Sequence, residues 1–265
     1  MDIIVCVKQV PGTTEIKMNK ETNTIIREGA EAIINPFDEY AIEEGVRIKE
    51  KMGGSVTVLS MGIPKVADLL RETIAVGVDN AVLLTDRAFA GADTLATSYA
   101  LATAIKNMES YDLIVCGKQA IDGDTAQVGP SLAEKLGIPH TTNVKKIEEI
   151  KEGYIRCQRM TDDGYETIEM SLPAVITVVK EINEPRLPSL KGKLRAKKTE
   201  VKLLTAEDIG ADVNLCGLKG SPTQVIETFV PEFEVKAEMF EGSAKEQAKS
   251  LADALLSMKY AKRVD

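Results

Sequence analysis

Short runs of apolar, largely β-branched residues punctuate the first 180 positions: Ile3–Val7, Ser55–Met61, Ala81–Thr85, Leu113–Cys116 and Ala174–Val179. Polar residues hardly interrupt them, which is the pattern of strands covered on both faces. Between the runs the spacing becomes helical. Asn35 stands before Pro36 and the acidic first turn of a helix, in the place of an N-cap, and DEYAIEEGVRIKEKM continues to a stop at Gly53-Gly54. Further helices are predicted from Pro64 to Gly77, from Asp93 to Asn107, and over PSLAEKL from Pro130 to Gly137. Strand–helix–strand alternation of this kind implies a parallel sheet with helices on both faces.

Beyond Pro139 the pattern changes. Tyr154–Met160, a turn at Asp162-Asp163-Gly164, and Tyr165–Met170 predict a β-hairpin. His140, the single histidine, falls at a helix-to-strand turn, a surface position rather than that of a base. Residues 183–200 contain Pro185, Pro188, Gly192 and five Lys/Arg between 191 and 198, and read as a long exposed loop. Residues 201–235 show no strong period. Ser243 and Glu246 then form an S-x-x-E capping box, followed by an apolar stripe at Ala244, Ala248, Leu251, Leu255 and Met258. Such a stripe belongs to a core or to a subunit contact.

Composition narrows the classes. A chain of 265 residues can bury the core of one large α/β domain with extensions. Its net charge of -8 weighs against nucleic acid and anionic membrane as partners. No apolar run approaches the roughly 20 residues of a membrane span, and the opening MDIIVCVKQV lacks the features of a signal peptide, so a cytoplasmic location is expected. The four cysteines form no C-x-x-C pair, so no metal site is expected; Cys6 and Cys116 lie in apolar runs and read as buried structural thiols.

No catalytic constellation appears: there is no G-x-S-x-G, no Walker motif, and no G-x-G-x-x-G after the first strand. The stretch richest in candidate chemistry is GKQAIDGDTAQVGP, Gly117 to Pro130, between the fourth apolar run and the fourth helix. In an open parallel sheet, ligands sit beyond the carboxyl ends of the strands. Glycines there let backbone approach a ligand, and N–H groups ahead of a helix suit a phosphate. Thr125 and Gln127 offer hydrogen bonds, and Asp122 and Asp124 could reach ribose hydroxyls. The alternative is a Gly/Asp-rich turn that only connects elements. Cys6–Gln9, Asn35–Asp38 and Met61-Gly62 would lie at the same edge, each equally readable as a strand end or a helix cap.

Several of these stretches, taken in order, resemble the β subunits of electron transfer flavoproteins: VCVKQVP, NPFDEYAIEE, GKQAIDGDTAQVGP, NEPRLPSLKGKLRAKK, and the segment Arg159–Thr177 with its acidic-Gly turn and LPAVIT. The resemblance covers nearly the whole chain. It implies a flavodoxin-like, adenine-nucleotide-binding, doubly wound parallel α/β sheet with an added β-hairpin and a C-terminal helical arm. A nucleotide-binding domain over residues 1–200 would include a partner-recognition loop at 183–198, and residues 201–265 would form an extension and arm contacting an α subunit. The implied cofactor-binding residues are Cys6, Asn35, Pro36, Phe37, Asp38, Met61, Gly117, Lys118, Gln119, Ala120, Ile121, Asp122, Gly123, Asp124, Thr125, Ala126, Gln127 and Val128. No side chain is implied as a catalytic group, because the chemistry belongs to the flavin.

The family has two branches. In one the β subunit holds AMP as a structural ligand. In the other it holds FAD, accepts hydride from NADH, and bifurcates the electrons between a low-potential carrier (ferredoxin or flavodoxin) and, through the α-subunit FAD, an acyl-CoA dehydrogenase-type partner. The small Gly123 and Ala126, and the stretch Gly220-Ser221-Pro222-Thr223-Gln224-Val225, resemble the bifurcating branch. The resemblance also implies that Leu190 occupies the anchor position of the partner-recognition loop, the one that docks on the dehydrogenase. One departure is Thr13, where some members place an aromatic near the α-subunit flavin; Phe37 remains a candidate for that contact.

Overall fold

The computed structural model of the protein describes residues 1–12, 18–19, 24–25, 32–226, 237–258 and 260, so Thr13 lies outside the described residues. Two compact units are present, Met1–Ile226 and Glu227–Asp265. The first begins with β1 (Asp2–Cys6), the short strands β2 (Gln9–Pro11), β3 (Met18–Asn19), β4 (Thr24–Ile25) and β5 (Ala32–Ile34), and helix α1 (Pro36–Met52). Then come β6 (Ser55–Met61), α2 (Val66–Ala75), β7 (Asn80–Leu84), α3 (Thr94–Lys106), β8 (Leu113–Gly117) and α4 (Val128–Leu136). The antiparallel strands β9 (His140–Lys151), β10 (Tyr154–Thr161) and β11 (Gly164–Ser171) lead to β12 (Ala174–Val178), α5 (Leu190–Ala196) and β13 (Lys202–Leu204). The second unit contains α6 (Ala244–Ser257), where the Ser243 N–H donates to Glu246 Oε2 at 2.8 Å, the reciprocal bond of the expected capping box.

A nine-stranded sheet runs in the order β11-β10-β9-β12-β8-β1-β6-β7-β13. All neighbours from β9 to β13 are parallel, and β10 and β11 add the antiparallel hairpin. From β1 the chain steps outward through β6 to β7, then returns across β1 to place β8 on its other side. The order reverses between β1 and β8, which opens a crevice at their carboxyl ends. This is the doubly wound α/β sheet expected from the sequence.

The two-residue side-chain period of a strand explains why the central runs are apolar throughout. Ile3, Val5 and Val7 enter one core with Leu113 and Val115 of β8, under Ile42 and Val46 of α1 and Leu70 and Ile74 of α2. Ile4 and Cys6 enter the other with Ile114 and Cys116, under Leu101 and Ile105 of α3 and Leu132 of α4. Each residue of β1 from Ile3 to Cys6 is buried, alternately on one face and the other.

Residues 183–200 depart from the expected exposed loop by forming α5. Its helical turn is a consequence of docking on α2. Arg195 Nη2 donates to the carbonyl of Ile74, in the last turn of α2, and to that of Val78 just beyond it, both at 2.7 Å. Gly192 lies so close to the Ala75 carbonyl that a Cβ there would collide with it. Residues 202–204, in a stretch with no strong period, pair with β7 as the sheet's last parallel strand. Three residues are too few to reveal a period.

Gly192→Ala is therefore expected to lift α5 off α2, costing about 2 kcal/mol of unfolding free energy, in the range of other overpacking substitutions. Urea titration of the wild type and the variant measures it; an unchanged midpoint would mean that α5 is not docked this way.

Candidate functional site

Two buried polar residues stand at the carboxyl edge of β1 and β8. Asn35 is 1% exposed and Asp38 is 6% exposed. Asn35 occupies the N-cap of α1 as the sequence predicted, yet its side chain makes no cap bond. Its Nδ2 donates instead to Asp38 Oδ1 (2.9 Å) and to the Gln119 carbonyl (2.8 Å), while its Oδ1 accepts from the Ile121 N–H (3.1 Å). One carboxamide thus ties the start of α1 to the loop that follows β8. Asp38 Oδ2 accepts from the Lys8 N–H at 2.7 Å, which ties in the end of β1. The Lys8 carbonyl accepts from the Asn35 N–H at 2.8 Å and closes the ring.

Burial pushes the Asp38 carboxyl up to about 7, although donors from Asn35, Lys8 and Gly117 oppose the rise. Gly117 has to be glycine, since a Cβ would collide with Asp38 Oδ1 and crowd Phe37. Cys6 and Cys116 are register partners at the ends of β1 and β8, both buried. The hydrogen bond with Cys6, together with burial, pushes the Cys116 thiol well up. Both cysteines are free thiols buried in the core, as their apolar runs led one to expect.

Above this buried floor the loop is open. Residues 121–125 and 127 are exposed. Asp124 and Ala126 adopt left-handed backbone, with φ of 55° and 53°. The N–H groups of Thr125, Ala126, Gln127 and Val128 find no acceptor among the described residues. Alternating backbone of this kind ahead of a helix forms a concave array of N–H donors suited to an anion. A Cβ at Gly123 would meet nothing within 4 Å, so the space beside it is free. Behind the loop, Gly129 seats α4 against β12, where a Cβ would collide with the Thr177 methyl.

The sequence-predicted residues Cys6, Asn35–Asp38, Met61 and Gly117–Val128 all come to this carboxyl edge, with Met61 ending β6 beside β1. Pattern reading placed Lys8 at this edge, within Cys6–Gln9, but missed its pairing, and it missed Thr94 and the partners of Asp93 altogether. Lys8 Nζ pairs with Asp122 at 2.5 Å and bridges β1 to the loop. Thr94 Oγ1 donates to Gln127 Oε1 at 3.1 Å. Asp93 caps α3 and accepts from Thr223 N–H (3.1 Å) and Oγ1 (2.8 Å), which draws Gly220–Thr223 to the start of that helix. Asp93, just before α3, was readable as a helix start, but its partners lie about 130 residues away in sequence and carried no local signal.

Leu190 lies elsewhere, on α5, 77% exposed and flanked by Leu187 (90%) and Leu194 (55%). The segment before it is clamped to α1. Arg186 Nε donates to Glu43 at 2.8 Å and its Nη1 to Glu50 at 2.5 Å, while Asn183 reaches the Tyr40 carbonyl and Glu44, each at 3.0 Å. The basic residues of this stretch are therefore not all a solvated face. Arg186 and Arg195 are fasteners, and Lys191, Lys193, Lys197 and Lys198 remain exposed beside the leucines.

Comparison with known proteins adds an independent line. A family model described as "Electron transfer flavoprotein domain" matches residues 22–209. The chain is 52% identical to the electron transfer flavoprotein subunit beta of Thermoanaerobacterium thermosaccharolyticum over 97% of this chain and 98% of that protein. It is 46% identical to subunit CarD of the caffeyl-CoA reductase-Etf complex of Acetobacterium woodii, over 96% and 98% respectively. It is 42% identical to protein FixA of Bradyrhizobium diazoefficiens, over 96% and 91%.

The buried carboxyl carries a pH signature. Asp38 is raised from 3.8 to about 7, so the folded protein holds its proton more tightly than the unfolded chain does. Its contribution is most favourable at low pH and declines as pH rises from about 4 to about 7, by up to about 1.4 kcal/mol per unit of difference. Asp38→Asn, uncharged throughout, should remove that decline. Urea midpoints of both proteins between pH 4 and 8 measure it, and parallel curves would place Asp38 at an ordinary carboxylate value.

Proposed function

Because the chain belongs to the electron transfer flavoprotein family, in its β-subunit kind, we propose that it binds FAD at the carboxyl edge of β1 and β8 and works in the cytoplasm as half of a heterodimer with an α subunit. The observation that carries this reading is the Gly117–Val128 loop, with N–H groups that find no acceptor among the described residues and free space beside Gly123 above a buried polar floor. When bound there, the flavin would supply two-electron acceptance from NADH and one-electron delivery to two acceptors. The chain's own part is to hold and orient. The N–H groups of Thr125–Val128 take the pyrophosphate, the left-handed turns at Asp124 and Ala126 aim them, and Asn35 keeps the loop at its distance from β1.

One electron would leave for ferredoxin or flavodoxin. The other would pass by way of the α-subunit FAD to a flavoenzyme acting on an acyl-CoA, a class supported by the caffeyl-CoA reductase-Etf name of one relative. Leu190 and its neighbouring leucines, held out by the Arg186 and Arg195 fasteners, suit the docking of that enzyme. A second reading is non-bifurcating electron transfer with AMP as a structural ligand, because the same N–H groups would hold a single phosphate equally well.

A nucleotide count separates the two. The heterodimer is purified, denatured, and its released FAD and AMP are quantified. Two FAD and no AMP per heterodimer is the expected result, while one FAD with one AMP would leave the second reading. Gly123→Glu places a bulky anion in the free space without a steric clash of its Cβ. It is expected to lower FAD content at this site at least about tenfold while leaving the unfolding midpoint close to wild type. Leu190→Ala should leave nucleotide content unchanged and weaken electron delivery to the dehydrogenase about tenfold, read as a rise in its apparent KM; equal kinetics would move the docking site elsewhere.

A further inference from the structure

The anion-binding loop carries two carboxylates of its own, Asp122 and Asp124, on either side of Gly123. Both are poorly placed for a site meant to take a phosphate, since each negative charge nearby opposes another. Gln119 Nε2 engages Asp124. Asp122 is met by a full positive charge, with Lys8 Nζ 2.5 and 2.8 Å from its two oxygens. This is the one ion pair the loop makes among the described residues.

Lys8 reaches Asp122 from a backbone that is itself held in place. Its N–H is bound by Asp38 (2.7 Å) and its carbonyl accepts from Asn35 (2.8 Å), so its backbone is locked from both sides into the buried polar floor. The same Asn35 binds Gln119 and Ile121, and so sets where the loop begins. The backbones on either side of this ion pair are thus tied to one common node.

We infer that Lys8 is a positioning residue for the nucleotide site: by pairing with Asp122 it offsets the charge of that carboxylate and draws it toward β1, so that the N–H groups of Thr125–Val128 are open to a phosphate-bearing ligand. The inference rests on the nucleotide reading above and adds to it a residue that acts on the phosphates through Asp122. The ligand part it governs is the phosphate moiety, not the adenosine.

The test titrates the nucleotide-stripped full chain, wild type and variants, with ADP and with adenosine. Lys8→Met is expected to weaken ADP about tenfold and to leave adenosine unchanged. Asp122→Asn added to Lys8→Met should restore ADP binding to near wild type, because the charge that Lys8 cancelled is then gone. Equal ADP affinity in wild type and Lys8→Met would overturn the inference. So would a parallel loss of ADP and adenosine, which would mark Lys8 as merely structural. Failure of Asp122→Asn to rescue would mean that Lys8 touches the phosphate itself, which also overturns it. If the wild type bound neither ligand, the nucleotide reading would fall and take this inference with it.

Discussion

The hydrogen-bonded pair Asn35–Asp38, sunk into the carboxyl edge of an otherwise apolar sheet, is the constraint on which the other features of the site depend. Burying a carboxyl without partners would be costly. Here it is met by the Asn35 amide and the Lys8 N–H. Those partners belong to β1, to the start of α1 and, through Asn35, to the loop after β8. The pair therefore converts three separate chain segments into one floor. At Gly117 the closeness of that floor leaves no room for a Cβ.

The same helix carries the constraint outward. The N-terminus of α1 is anchored in the floor, and its middle and far end hold Asn183 and Arg186 through Glu43, Glu44 and Glu50. Burial alone would raise Glu43; hydrogen bonds from Arg186 and Arg47 outweigh it and hold the carboxyl below its usual range. An exposed ion pair contributes little to stability, but Glu43 is 4% exposed and is bound by two guanidinium groups. The leucines of α5 thus project from a segment fastened at both ends, by Arg186 to α1 and by Arg195 to α2. The docking proposed for these leucines would then cost less entropy, because the surface is ordered beforehand.

The loop over the floor stores strain. Left-handed backbone at Asp124 and Ala126 costs on the order of 1 kcal/mol at each residue. Neighbouring bonds hold it there: Gln119 to Asp124, Lys8 to Asp122, and Thr94 to Gln127. What the strain provides is a set of N–H groups turned away from their own chain. A relaxed turn would have spent them on internal hydrogen bonds.

Much of this was legible in the chain itself. The apolar runs named the central strands because a strand buried on both faces admits few polar side chains. Asn35-Pro36, Gly53, Asp93 and Gly137 marked helix ends because caps are local chemistry. The Gly/Asp-rich stretch after Leu113–Cys116 located the loop, since its place between a parallel strand and a helix follows from the alternation alone. Other features were decided by tertiary structure. Asn35 looked like an ordinary cap, and two of its three side-chain partners lie 84 and 86 residues away. The pairing of Lys8 with Asp122 spans 114 residues. Helix α5 and strand β13 formed where the local sequence carried prolines, glycine and no period, because Arg195 ties α5 to the end of α2 and the open edge of β7 pairs with β13. Local pattern is written by burial and capping, which act within a few residues. Partner choice across the sheet edge depends on which strands the winding brings together, and that only the folded chain decides.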